Sequence, residues 1–236
     1  MIKLYQGDCI EIMNNIPDKS IDMILCDLPY GTTSNQWDEI IPFDKLWNQY
    51  KRIIKDDGAI VLFSQMPFTA KLAMSNIEWF KYEWIWQKEA PTGHLNAKKM
   101  PLKLHENILV FYKNLPTYNP QMKYGKEKYV SITRASQSSS NYRQFTRDVI
   151  STSNGERYPK DIIKCKRDSN KLHPTQKPVP LLKYLIKTYT NTNNTVLDNC
   201  MGSGSTGVAC KQLDRNFIGI ELEKKYYEIA KERIGD

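Results

Sequence analysis

A glycine-rich turn set between an apolar run and an amphipathic stretch constrains the fold of this chain more than any other feature. Asp198-Asn199-Cys200-Met201-Gly202-Ser203-Gly204-Ser205-Thr206-Gly207 follows Thr195–Leu197 and opens a helical pattern over Thr206–Leu213. Glycines at such a junction allow backbone N–H groups to approach a ligand at a helix start. Asn216–Ile220 then reads as a strand closed by Glu221, and Glu223–Ile234 as a helix. Strands alternating with helices indicate an α/β fold, a doubly wound, mostly parallel Rossmann-like sheet covered on both faces. Gly202, Gly204 and Gly207 satisfy G-x-G-x-x-G, and a carboxylate at Glu221 is placed for ribose hydroxyls. The pattern indicates a nucleoside-containing cofactor, with a ligand-free tight turn as the plainer reading. A P-loop needs lysine after its glycines, and Ser205-Thr206-Gly207 has none. The chain ends 15 residues after Glu221, too few for the second mononucleotide half of a nicotinamide site.

The first stretch, residues 1–113, has the same alternation. Ile2–Tyr5 and Ile21–Cys26 read as strands around a helical Cys9–Ile16, and Phe43–Ile54 as an amphipathic helix. Asp57-Gly58 predicts a turn into the buried strand Ala59–Phe63. Tyr82–Trp86 and Ile108–Tyr112 are further strands, separated by a loop containing Pro91, Gly93 and Pro101. Trp37, Trp79, Trp84 and Trp86 are expected in the core. In residues 172–236, Pro178–Tyr189 precedes the turn motif as a helix.

Between them, residues 114–171 lose periodicity and collect prolines, serines and six tyrosines or phenylalanines. From Lys113 to Lys171 lies the whole surplus of the chain's +8 charge, thirteen Lys or Arg against five Asp or Glu. Lysines and arginines facing phosphates gain affinity by releasing condensed counterions, so a polyanion is one partner reading and a solvated basic surface the other. An irregular insertion of this length suggests a functional segment. Five widely spaced cysteines without a C-x-x-C pair argue against a disulfide framework or a zinc site, and a reducing cytoplasm suits them. No apolar stretch is long enough to span a bilayer, and the N-terminus has no secretory pattern.

A second motif, Asp27-Leu28-Pro29-Tyr30-Gly31, follows the strand Ile21–Cys26, where an α/β sheet places its ligand crevice. An aromatic ring can stack on a planar base while a carboxylate and a backbone carbonyl accept hydrogen bonds from its amino group. Taken alone, D-x-P-Y reads as a turn before it reads as a recognition motif.

Together the motifs resemble those of amino-group DNA methyltransferases. Asp27–Tyr30 is similar to the family's D-P-P-Y, and Asp198–Thr206 to its D-P-F-x-G-S-G-T. The catalytic motif precedes the cofactor motif, as in the circularly permuted β class. Gly7-Asp8-Cys9, His105-Glu106-Asn107 and His173-Pro174-Thr175-Gln176-Lys177-Pro178 match further family blocks in order. Leu28 replaces the first proline and keeps its carbonyl acceptor; Asn199-Cys200 replace Pro-Phe. The resemblance implies S-adenosylmethionine as cofactor, no metal, and double-stranded DNA as partner. It implies a catalytic set of Asp27, Leu28, Pro29 and Tyr30. The implied cofactor set is Asp8, Cys9, Thr175, Lys177, Asp198, Cys200, Met201, Gly202, Ser203, Gly204, Ser205, Thr206 and Glu221. Asp8 reads equally well as a helix N-cap, and His173 as a structural or cofactor-side residue. In residues 114–171, where the subgroup keeps its target-recognition region, Lys123, Lys126, Lys128, Arg134, Arg143, Arg147 and Arg157 are expected on DNA, with some arginines on guanine edges and most on phosphates. An acid at the first catalytic position is similar to adenine-N6 members, with cytosine N4 as the alternative. RNA, a protein glutamine, and a nucleic-acid-binding module without activity are more distant readings. A bacterial or phage origin follows from the resemblance, and a homodimer and a cognate restriction endonuclease stand as further partner expectations.

Overall fold

The apolar runs become the middle strands of one sheet. The computed structural model describes residues 1–32, 38–125, 127–133, 147–168, 172 and 176–235. In chain order its strands are β1 (Ile2–Gln6), β2 (Ile21–Asp27), β3 (Ile54–Ser64), β4 (Phe80–Thr92), β5 (Lys103–Phe111), β6 (Tyr129–Thr133), β7 (Val149–Ser153), β8 (Ile162–Lys164), β9 (Thr195–Asp198) and β10 (Asn216–Glu221). The helices are α1 (Cys9–Met13), α2 (Phe43–Ile53), α3 (Phe68–Ser75), α4 (Val179–Tyr189), α5 (Ser205–Lys211) and α6 (Lys224–Ile234). Contacts divide the chain into one unit of Met1–Asn119 with Asp161–Asp236 and a second of Pro120–Lys160.

The first unit holds an eight-stranded sheet in the order β1-β10-β9-β2-β3-β5-β4-β8. From β1 to β3 all neighbours are parallel; β5 runs antiparallel to both β3 and β4, and β8 parallel to β4. The mixed, mostly parallel sheet agrees with the expected α/β architecture. Alternation along each strand assigns side chains to two cores. Ile24 and Cys26 of β2, Ile60 and Leu62 of β3, and Leu109 and Phe111 of β5 pack with Met13, Leu46, Trp47 and Leu72 of α1 to α3. Met23, Leu25, Val61, Phe63, Ile108 and Val110 pack on the other face with Leu182, Ile186, Ala209 and Ile234 of α4 to α6. Each fully buried Leu, Ile or Phe contributes roughly 1.5–3 kcal/mol, so two filled faces hold the sheet. Trp79, Trp84 and Trp86 are buried as expected, while Trp37 lies outside the described residues.

Several sequence expectations are corrected. The Cys9 helix ends at Met13, with Asn14 as its C-cap. Asp57-Gly58 makes no turn: α2 passes directly into β3, which runs through both residues with a register shift against β2. A Cβ at Gly58 would meet the Asp22 carbonyl oxygen at 2.9 Å, so the glycine serves close strand approach. β4 extends through Pro91, where the sequence predicts a loop, and the helix α3 carries no strong periodic signal in the sequence. The basic segment is not wholly irregular. Its described part contains the antiparallel pair β6–β7, and β8 joins the main sheet.

Candidate active site

The two motifs meet at the carboxyl ends of β2 and β9, which pair in parallel with Ile24 opposite Leu197. β9 leads through α5 to β10 on one side, and β2 through α2 to β3 on the other. A doubly wound sheet opens a crevice where adjacent strands part in this way. It forms a cavity of about 770 Å³, walled by Asp27, Tyr30, Lys177, Asp198, Met201 and Glu221 among others. That volume lies within the usual range for a ligand site, roughly 300–1,000 Å³.

Asp27 ends β2 with its carboxylate in the cavity. Oδ1 accepts the Tyr30 hydroxyl at 2.5 Å, and Oδ2 accepts Lys177 Nζ at 2.5 Å. Burial raises the Asp27 pKa and the Lys177 charge opposes the rise. Burial and the neighbouring carboxylate push the Tyr30 phenol well up, so it remains a protonated donor. The Tyr30 ring packs against Phe68 with centroids 5.0 Å apart. Leu28 is buried and Pro29 half-buried. The turn beyond them is fixed by Asp38, a residue the sequence did not single out. Its Oδ1 accepts the Tyr30 and Gly31 N–H groups at 2.8 and 3.0 Å, and Oδ2 the Thr32 N–H at 2.9 Å. A buried carboxylate thus supplies rigidity that a proline at Leu28 would otherwise provide.

A chain of buried charges continues from Asp27. Lys177 Nζ lies 3.3 Å from Glu106 Oε2, and Lys88 Nζ 2.5 Å from Glu106 Oε1. Lys88, Glu106 and Lys177 are all under 10% exposed. Each ammonium also sits over an aromatic face, Lys177 over Phe63 at 5.1 Å and Lys88 over Trp86 at 5.3 Å. Burial works to lower the Lys177 pKa, but the Asp27 and Glu106 carboxylates outweigh it and hold the ammonium charged. Burial likewise works to raise Glu106, and the two lysines outweigh it.

The glycine turn owes more to packing than to an open N–H cradle. A Cβ on Gly204 would lie 2.9 Å from the Ala230 Cβ, and one on Gly207 2.8 Å from the Phe217 ring. The Gly202 N–H donates to Glu221 Oε2 at 2.8 Å, while Glu221 Oε1 accepts the Glu223 N–H. Asp198 accepts the Cys200 N–H and the Thr206 hydroxyl, at 3.2 and 2.6 Å. Burial pushes Asp198 up to about 7. Arg233 binds Ser203 through its carbonyl and hydroxyl, and Ser205 through its hydroxyl. Asn199 and Cys200 are accommodated by a network of their own. Asn199 Oδ1 accepts the Tyr50 hydroxyl at 2.6 Å, and its amide points at the Cys9 and Cys200 sulfurs, 3.6 Å from each.

Residues 21–232 match the sequence profile of the DNA methylase family whose members methylate N6 or N4 amino groups. The chain belongs to this family. The methyltransferase is 30% identical to the type II methyltransferase M.HinfI of Haemophilus influenzae, over 98% of its own length and 67% of that protein's. M.HpaI of Haemophilus parainfluenzae is 28% identical over 98% and 74%. Among solved structures, the M1.HpyAVI complex with S-adenosylmethionine shares 28% identity, covers 99% of this chain and 100% of that one, and superposes with a TM-score of 0.67. The cytosine-N4-specific PvuII DNA methyltransferase superposes with a TM-score of 0.72 over 98% and 86% of the two chains, at 15% identity, a likeness of fold. The protein is a DNA methyltransferase that acts on DNA and uses S-adenosylmethionine. Its cavity fits that cofactor in volume and in carrying buried carboxylates, Asp198 and Glu221, able to meet cationic and hydroxyl groups.

The structure brings Asp27, Leu28, Pro29 and Tyr30 to the methyltransferase cavity together with Asp8, Cys9, Lys177, Asp198, Cys200, Met201, Gly202, Ser203, Ser205, Thr206 and Glu221. Gly204 is not among the cavity-wall residues. Asp8 caps α1, its Oδ1 accepting the Ile10 and Glu11 N–H groups. Thr175 and His173 lie outside the described residues, as do Lys126, Arg134 and Arg143. Lys123, Lys128 and Arg147 are exposed; Arg157 is half-buried and spends its guanidinium within its own unit, on Ser153, Glu127 and the Tyr129 ring. Among the described residues no helix is long and apolar enough to cross a membrane. Asp38, Lys88 and Glu106 are additions to the site. Strand alternation could have found the last two, since Lys88 follows the inward Trp84 and Trp86, and Glu106 precedes the inward Ile108 and Val110.

Proposed function

We propose that this methyltransferase modifies the exocyclic N6 of an adenine flipped out of a specific DNA sequence, at a cost of a few kcal/mol for unstacking. The observation that carries the reading is a carboxylate, Asp27, at the end of β2 in the cavity it shares with Asp198 and Glu221. An aromatic amine is a weak nucleophile because its lone pair is delocalised into the ring. Asp27 and the Leu28 carbonyl accept its two hydrogens and favour the pyramidal form, and the Tyr30 ring stacks on the base. Asp198, Met201, Gly202, Ser203, Ser205, Thr206 and Glu221 hold the cofactor, with Gly204 shaping the turn behind them and Asp8 and Cys9 at the adjoining wall. When bound, the cofactor would supply an electrophilic methyl on a sulfonium: the N–C bond would form as the S–C bond breaks and leaves a neutral thioether, and the methylated amine would release one proton to solvent. The residues therefore act by orientation and by acceptors placed where positive charge develops.

Residues 114–171 serve as the target-recognition segment, with Lys123, Lys126, Lys128, Arg134, Arg143 and Arg147 facing the duplex and Arg157 buttressing it. The names of M.HinfI and M.HpaI, both type II methyltransferases, support a role beside a cognate restriction endonuclease. Incubation with labelled S-adenosylmethionine and mixed-sequence duplex DNA, followed by mass spectrometry of the nucleosides, tests the target. N6-methyladenine is expected; N4-methylcytosine would overturn the adenine assignment and keep the scaffold. Asp27→Ala should abolish transfer and leave cofactor affinity within about threefold, and undiminished transfer would remove Asp27 from the mechanism.

A further inference from the structure

Both oxygens of the Asp27 carboxylate are engaged, Oδ1 by the Tyr30 hydroxyl and Oδ2 by the Lys177 ammonium. A donor N–H on a target amine needs one of these positions. The occupant of Oδ2 is itself a nitrogen donor, so its present place is the one an amino group would take. An ammonium left there during transfer would also face a nitrogen that is becoming positive, and like charges inside a dry cavity repel strongly. Lys177 has somewhere to go. Glu106 Oε2 lies 3.3 Å from Nζ, is buried, and accepts no hydrogen bond in this structure, whereas Oε1 is held by Lys88. Oε2 thus has an ammonium at ion-pair distance and no aligned hydrogen bond, and a short shift of that ammonium would complete one. The Phe63 ring under Nζ lets the ammonium shift between the two carboxylates over a favourable aromatic face.

We infer that Lys177 and Glu106 form a two-position device for target entry: the Lys177 ammonium holds the amino-group position on Asp27 Oδ2 in the free enzyme and passes to Glu106 Oε2 when the target amine arrives. Lys88 keeps Glu106 aimed by binding its other oxygen. Lys177 and Glu106 are thus positioning residues for Asp27, and Lys177, placed by family resemblance on the cofactor side, acts on the target side. The cluster of two acids and two lysines stays neutral in both positions, so the move carries no net charge into the cavity. The inference rests on the reading of Asp27 as acceptor for the target amine.

The test is a double-substitution cycle read by single-turnover methyl transfer to mixed-sequence duplex DNA, with cofactor affinity measured separately by calorimetry. Glu106→Gln, which deprives Lys177 of its second carboxylate, should slow transfer at least tenfold and change cofactor affinity by less than threefold. Lys177→Met should also slow transfer at least tenfold, and Lys177→Arg should recover part of that loss. With Lys177 gone, Glu106 has nothing to receive, so the double variant should be within twofold of Lys177→Met alone. If Lys177→Met does not fold, the cycle is run with Lys177→Arg, and the Glu106→Gln effect should shrink in that background. Multiplicative losses in the double variant would overturn the device, as would a tenfold fall in cofactor affinity for Glu106→Gln. Absence of label from DNA with the wild-type enzyme would instead overturn the Asp27 reading beneath it, a result distinct from any pattern among the variants.

Discussion

At the scale of single residues, the site buries a cluster of ionisable groups, Asp198, Glu221, Lys88, Glu106 and Lys177 among them. Asp198 illustrates the consequence. Burial raises it to about 7 from an ordinary carboxylate value, against the lowering effect of the Thr206 hydroxyl, the Cys200 N–H and the Cys26 thiol. A folded-state pKa above the unfolded one means the native protein holds this proton more tightly. The stabilisation is then complete below about pH 4 and is lost as pH rises through about 7. Asp198→Asn, whose side chain does not titrate, should therefore gain on the ligand-free wild type between pH 5 and 8. The slope has an upper bound of about 1.4 kcal/mol per pH unit for one proton. Thermal melts of both proteins across that range check it, and parallel curves would mean that Asp198 ionises normally. This residue was legible from its motif, as were Asp27, Tyr30 and Glu221. Asp38 was not, because nothing in its surroundings marks it as the carboxylate that holds the turn, and strand alternation marks Lys88 and Glu106 as inward charges without saying that they pair with each other or reach Asp27 through Lys177. Asp38, 11 positions after Asp27, reaches back to the Tyr30, Gly31 and Thr32 N–H groups, and Lys88 meets Glu106 only because β4 and β5 pair antiparallel, with Trp86 opposite Glu106.

At the scale of elements, apolar runs in the middle of the sheet were read correctly and polar or proline-bearing ends were not. β2, β9 and β10 appear within a residue or two of expectation because burial on both faces demands uninterrupted apolar sequence. β3 and β4 outrun theirs, since an exposed strand end tolerates Lys55, Asp56, Asp57 or Pro91 without a pattern. The glycine turn was located correctly, yet its glycines serve α5 and α6 as well as a ligand. Gly207 lies in α5, where alanine would ordinarily gain about 1 kcal/mol of helix propensity. A Cβ there meets Ile234 at 2.4 Å and the Phe217 ring at 2.8 Å. The side chain of Ile234 can rotate aside, but the ring is held in the buried core. Overpacking of this kind costs about 1–3 kcal/mol, which outweighs the propensity gain. Gly207→Ala should lower the stability read from urea unfolding, with the denaturant slope unchanged; equal or greater stability would show that the helix pair can part without penalty.

At the scale of the whole molecule, the two motif-bearing strands that meet at the cavity, β2 and β9, come from opposite ends of the chain, and the segment between them carries the surplus positive charge. The charge division is plain from composition, and under the proposed role it needs no particular local fold, because counterion release depends on the number of lysines and arginines that meet phosphates. Composition could not sort those residues by task. Lys123, Lys128 and Arg147 are exposed, whereas Arg157 bonds to Ser153, to the Glu127 and Glu156 carbonyls, and covers Tyr129. The Arg157 and Lys123 backbones pair as an isolated antiparallel bridge within this unit. Two kinds of loss should therefore separate in DNA-binding measurements over a range of salt. Each of Lys128→Ala and Arg147→Ala, if its side chain meets one phosphate, should reduce the slope of log affinity against log salt by about 0.9. Arg157→Ala should instead weaken binding with a smaller change of slope, because what it removes is the support of β6 and β7 and not an ion pair with the duplex. Arg157→Lys should restore little, since a lysine cannot reproduce three fixed hydrogen bonds and a stacked plane. A full unit of slope lost on substituting Arg157 would place its guanidinium on phosphate, and the β6–β7 pair would then have to be held by other contacts.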